Sequence, residues 1–85
     1  MKTSQIEKDI LEKMYAHVFI GEKHTSADNV PKSFPKHMRG EVKKALKSLI
    51  RQEYVLPKIT SYGLEVSLNP RRIEEIRQLI REPES

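Results

Sequence analysis

The chain has 85 residues, 36% of them hydrophobic, three Tyr and two Phe as its only aromatics, no cysteine, and a formal net charge of +4. A chain this short builds one small core with little room to enclose a substrate, and without cysteine it makes no disulfide and offers no thiolate. The charge is concentrated: residues 32–58 carry eight basic side chains against two acidic ones, a net of +6, which leaves the remainder at −2.

Helix is expected over residues 4–19. Ser4 followed three residues later by Glu7 is the capping-box pattern. Ile6, Ile10, Met14 and Val18 recur every fourth residue, flanked by Leu11 and Tyr15, so one face is apolar. Gly21 is the expected stop. The segment EKHTSADNVPKSF is too polar to form core by itself. Within it Lys23-His24-Thr25 suits a short extended piece. Ser26 suits the cap of a short helix over about residues 26–30, ahead of Pro31. Pro31 and Pro35 exclude a long helix across this connector and favour extended geometry just before each.

Residues 35–53 read PKHMRGEVKKALKSLIRQE. On a helix at about 100° per residue, Met38, Val42, Ala45, Leu46, Leu49 and Ile50 share one side. Lys36, Arg39, Lys43, Lys44, Lys47 and Arg51 spread over the opposite arc, with Gly40 among them and Glu41 toward its margin. Like charges spaced i,i+4 repel by a few tenths of a kcal/mol, so a solvated face ordinarily mixes signs. An uninterrupted cationic arc is slightly costly to fold and points to a partner outside the chain, with phosphate the leading candidate. The start of this helix lies between Pro35, which suits a first turn, and Gly40, which disfavours an interior position.

Residues 54–68 alternate as a hairpin. Val55, Pro57 and Ile59 share one parity on the first strand, and Leu64, Val66 and Leu68 share one on the second. Thr60-Ser61-Tyr62-Gly63 supplies the turn. Pro57 cannot donate to a ladder, so its strand is expected at the sheet edge. Asn69-Pro70 then starts a helix over 70–82 with Ile73, Ile76, Leu79 and Ile80 as its apolar stripe, stopped by Pro83.

Helix, short extended piece, short helix, long basic helix, hairpin, helix: this order resembles the winged helix-turn-helix domain. Leu49-Ile50-Arg51-Gln52-Glu53-Tyr54-Val55 resembles the family's junction between recognition helix and first wing strand, with Glu53 where that family usually has glycine. Phe34-Pro35-Lys36-His37-Met38-Arg39-Gly40-Glu41-Val42-Lys43-Lys44-Ala45-Leu46, together with Thr60-Ser61-Tyr62-Gly63-Leu64 and Val66-Ser67-Leu68-Asn69-Pro70, is similar to small uncharacterised archaeal winged-helix proteins. The likeness covers about residues 6–80. It implies a mainly α fold with a small β-hairpin (α+β), one domain over 1–85, three to four helices and a two- or three-stranded wing. Winged helices bind duplex DNA most often, RNA sometimes and proteins not rarely.

The expected function is nucleic-acid binding, chiefly to double-stranded DNA, as a small cytoplasmic transcriptional regulator or chromatin-associated protein. Lys36, His37, Arg39, Gly40, Lys43, Lys44, Lys47 and Arg51 form the candidate contact set, with Lys58 and Tyr62 added by the wing. Lysine excess favours phosphate contact; base readout falls to Arg39 or His37. Gly40 either lets a phosphate approach the backbone or marks a late helix start, and Tyr62 either stacks on the ligand or folds back on Leu64. His17, His24 and His37 lack ligand spacing, so no metal or cofactor is expected. Glu74 and Glu75 suit a helix N-terminus, and Arg71, Arg72, Arg77 and Arg81 mix with acids as on an ordinary solvated face. No catalytic constellation is evident, so an enzyme is not expected. No secretory h-region and no apolar run of about 20 residues appears, and neither a membrane span nor a membrane-surface helix is expected. The rival reading is a protein-interaction module using the stripe from Ile73 to Ile80, or Met14 and Tyr15, with homodimerisation through the terminal helices; RNA is the third.

Overall fold

Four α-helices and a three-stranded antiparallel sheet make up residues 3–81, the part of the chain that the computed structural model describes. Helix α1 spans Gln5–Ala16. Its capping box forms as expected: Ser4 Oγ accepts from the Glu7 N–H at 3.2 Å, and the Glu7 carboxylate accepts from the Ser4 N–H at 2.8 Å.

The helix stops three residues short of residue 19, and Gly21 is not what stops it. The Val18 and Phe19 N–H groups reach back to the Tyr15 and Met14 carbonyls, each at 3.0 Å, with Val18 left-handed at φ 57°. This is the double bond of a Schellman cap, with a β-branched residue where glycine is usual. The sheet requires the early exit. The Phe19 carbonyl accepts from the Leu68 N–H at 2.8 Å, and the Gly21 N–H donates to the Leu68 carbonyl at 3.0 Å. A continued helix could make neither bond.

Strand β1 is Thr25–Ser26, which overlaps the expected extended piece over residues 23–25 only at Thr25. Ser26 therefore lies in a strand and does not cap the next helix. Helix α2 spans Asn29–Lys32 and runs through Pro31. Pro31 is its third residue, where the N–H has no intrahelical partner in any case, so the ring is tolerated. A 3₁₀ turn, Lys36–Met38, leads into α3, Arg39–Arg51. The basic segment thus begins as 3₁₀ after Pro35, and Gly40 is the second α-helical residue.

Helix α3 ends in the same cap as α1. Glu53 is left-handed at φ 65°, and the Glu53 and Tyr54 N–H groups bond to the Ile50 and Leu49 carbonyls at 3.0 and 3.1 Å. Glu53 thus adopts the conformation that glycine supplies at lower cost.

Strands β2, Val55–Thr60, and β3, Gly63–Leu68, form the hairpin, and the sheet order is β1-β3-β2. Strand β2 is at the edge, where Pro57 requires it. The Asn69 N–H donates to the Tyr54 carbonyl at 2.9 Å. By antiparallel alternation, residues 55, 57 and 59 then turn their backbone groups outward, and the missing N–H of Pro57 falls on the open side. Val55 pairs with Leu68, Pro57 with Val66 and Ile59 with Leu64. This apolar face begins in the core and runs out beyond it.

Asn69 caps a 3₁₀ turn, Pro70–Arg72, by accepting from the Arg71 N–H at 3.0 Å, and α4 follows over Ile73–Arg81. The expected end at residue 82 and the stop at Pro83 lie outside the described residues. One hydrophobic cluster joins Ile10, Leu11 and Met14 of α1, Val42, Leu46 and Leu49 of α3, Val55, Val66 and Leu68 of the sheet, and Ile76 of α4. Val30 and Phe34 close it from the α2 side. No helix among the described residues is long and apolar enough to cross a membrane.

Candidate nucleic-acid interface

Helix α3 buries Val42, Leu46 and Leu49 and turns Gly40, Glu41, Lys43, Lys44, Lys47 and Arg51 to solvent. Three neighbours hold it. The core packs its apolar side against α1 and the sheet. The Glu7 carboxylate accepts from the Gln52 side-chain amide at 2.9 Å, which ties the end of α3 to the start of α1. Arg72 donates to the Gln52 carbonyl and lays its guanidinium 4.1 Å from the centre of the Tyr54 ring. The cationic face is therefore mounted on an element fixed at its C-terminal end by three side-chain contacts.

Lys36 and His37 are exposed on the 3₁₀ turn, and Lys43, Lys44, Lys47 and Arg51 are exposed along α3. Among the described residues no carboxylate forms an ion pair with any of these cations. Glu41, three residues before Lys44, does not close onto it. Elsewhere among the described residues Arg72 pairs with Glu75 and Arg77 with Glu74, both within the C-terminal helical segment, where the sequence mixes signs.

Arg39 differs from its neighbours. It is half-buried, and its Nε is shielded from solvent without a hydrogen bond, so it is the least free of the candidate contacts. Gly40 is exposed, and a Cβ there would meet nothing within 4 Å. Lys58 is exposed on β2 opposite Glu65 in the register, but the Glu65 carboxylate lies against His24 Nδ1. Tyr62 is 94% exposed at the hairpin tip and is not folded back on Leu64. Lys32, the last residue of α2, is a further exposed and unpaired cation. It belongs to the basic segment over residues 32–58 but precedes the helix whose period groups the other cations on one face.

The side chains suggested for a protein partner are mostly occupied. Met14 is in the core at 3% exposure, so it is not available to a partner. Tyr15 is half-buried and accepts from Arg77 Nε at 2.7 Å through its hydroxyl. Ile76 is fully buried, with Ile73, Leu79 and Ile80 partly so. Among the described residues the exposed large apolar side chains are instead Leu56, Ile59, Tyr62 and Leu64 on the hairpin and Val18 at the end of α1. Among the described residues no group of three or more His, Cys, Asp or Glu is placed to hold a metal ion.

Comparison with known proteins finds no matching family model and no significant match among curated proteins or solved structures.

Proposed function

We propose that the chain is a winged helix-turn-helix domain that binds duplex DNA. In this reading α2 and α3 form the helix-turn-helix and β2–β3 the wing. One observation carries it: Lys43, Lys44, Lys47 and Arg51 of α3, with Lys36 and His37 of the turn before it, are exposed together, and no acid among the described residues pairs with them. That arrangement costs a little folding free energy and has a use when phosphates neutralise it. Lys43, Lys44, Lys47 and Arg51 contact phosphates, Lys36 and His37 approach from the start of the helix, and Lys58 and Tyr62 contribute from the wing. Lysine dominance makes the contact chiefly electrostatic, with limited base readout.

Titration against duplex DNA, single strands and duplex RNA over a salt series tests this. With about 4–6 phosphates neutralised, log affinity for the DNA duplex falls with log salt at a slope of about −4 to −5. Tighter binding to duplex RNA would move the reading to RNA, where a deep, narrow major groove excludes the helix. Absence of binding to all three at low salt would favour the second reading, a protein partner on the hairpin. That reading draws on Ile59 at 87% and Tyr62 at 94% exposure.

A further inference from the structure

Between the C-terminal half of α1, strand β1 and α2 lies a cleft of about 260 Å³. Its floor is apolar: Ile10, Met14 and Val30 line it and are all buried. Phe19 forms one wall. At the mouth stand two basic residues one helical turn apart, Lys13 on α1 and His17, the residue that caps its end, and no acidic residue lines the cleft. Neither basic side chain is ion-paired to a described residue. The Lys13 ammonium lies 5.1 Å from the centre of the Phe34 ring, and the His17 ring stacks on Phe19 at 5.6 Å.

The turn that ends α1 builds this mouth. Val18 is held at φ 57°, a region unfavourable to β-branched residues. That conformation sets His17 at the rim and Phe19 in the wall. Strain of this kind persists only where the surrounding structure over-determines it. Here the bonds from Val18 and Phe19 to the α1 carbonyls, and from Leu68 to Phe19, do so.

We propose that the cleft binds a small amphiphilic monoanion, a carboxylic acid with a short apolar body. The body rests on Ile10, Met14, Val30 and Phe19, and the carboxylate is drawn to Lys13 and His17. The volume is below the ~300–1,000 Å³ typical of drug-sized ligands, so the acid is small. Its Kd is on the order of 1 mM for a ligand of about eight heavy atoms. The occupant joins α1 to α2, the element that leads through Phe34 into the basic segment. The inference does not rest on nucleic-acid binding, and the experiment contains no nucleic acid.

The full chain, labelled for amide NMR, is titrated with hexanoate, hexanol and hexylammonium. The expected result is saturable shifts at residues 13–19 and 29–33, with hexanoate bound at least about fivefold more tightly than hexanol and hexylammonium weakest. Lys13→Met, at an exposed helical position, raises the hexanoate Kd about three- to tenfold and leaves hexanol unchanged; Lys13→Met/His17→Gln abolishes the preference for the acid. Equal binding of alcohol and acid, hexanoate shifts centred on the α3 lysines, an unchanged hexanoate Kd in Lys13→Met, or no saturation at ~20 mM would each overturn the assignment.

Discussion

The carboxylate of Glu7, in the first turn of α1, accepts from the side-chain amide of Gln52, just past the end of α3, at 2.9 Å. The same carboxylate closes the capping box at Ser4. One side chain therefore satisfies the start of one helix and orients the end of another. Burial would push the Glu7 carboxyl up, but donors at the Ser4 backbone, the Ser48 and Ser4 hydroxyls and the Gln52 amide outweigh it and hold the group below its usual range.

A pH dependence follows from that direction. With the folded pKa below the unfolded value of about 4.3, the ionised carboxylate contributes stability that is fully present above the unfolded pKa. It is lost as pH falls through the lower, folded value. Glu7→Gln is expected to destabilise the protein by about 1–2 kcal/mol at pH 7. Urea unfolding followed by circular dichroism should show the gap between variant and parent shrinking toward pH 3; a gap of the same size at both pH values would mean that the charge of Glu7 is not what matters.

Charge reversal separates binding from folding on α3. Lys43→Glu/Lys47→Glu leaves positions 43 and 47 like-charged but turns the i,i+4 pairs with Arg39 and Arg51 from repulsive to attractive, so its Tm should equal or exceed that of the parent. Affinity for duplex DNA at ~0.1 M salt should fall at least about tenfold, and the salt slope should flatten by about 2. Unchanged affinity in a folded variant would remove the basis for DNA binding.

Gly40 offers a sharper version of the same contrast. A methyl group there enters open space, and alanine in place of glycine in a first helical turn gains about 0.5 kcal/mol. If phosphate approaches the bare backbone at this point, Gly40→Ala binds duplex DNA a few-fold more weakly while unfolding at higher temperature. Unaltered affinity would leave Gly40 with no part in the contact.

Two left-handed residues carry side chains where glycine costs less. Val18→Gly and Glu53→Gly should each stabilise by about 1 kcal/mol, which for a domain of this size raises Tm by about 4–8 °C. Gly21 behaves oppositely. It is left-handed at φ 64°, and a Cβ there would come within 3.2 Å of Pro70 Cγ. Gly21→Ala should lower Tm, so a differential scan of the three variants tests the two caps together.

Asn69 joins two elements through both ends of its amide. Its Nδ2 donates to the Glu53 carbonyl at 2.9 Å, and its oxygen accepts from the Arg71 N–H at 3.0 Å. Asn69→Ala should cost about 2 kcal/mol in urea unfolding. Asn69→Asp keeps the cap but sets a carboxylate against a carbonyl, so it should not rescue. Full rescue by aspartate would show that the cap alone matters.

Much of the frame is readable from neighbouring residues. Ser4 with Glu7, and Asn69 with Pro70, announce two helix starts because a cap needs only the next three residues. Pro57 announces an edge because it lacks a donor wherever it stands. The cationic arc of α3 follows from the 3.6-residue period, which sorts side chains by face before any packing is known.

The remainder depends on partners far along the chain. Val18 turns left-handed, with no glycine to mark it, because Phe19 and Gly21 must meet Leu68. Strand β1 falls on Thr25–Ser26 because that is where Val66 and Glu65 of β3 pair with it. Gln52 finds Glu7 across 45 residues, and Arg77 finds Tyr15 across 62. Periodicity ranks positions by polarity, but the choice between polar partners is made by distance. Distance is set only once the helices and sheet have closed on their shared core.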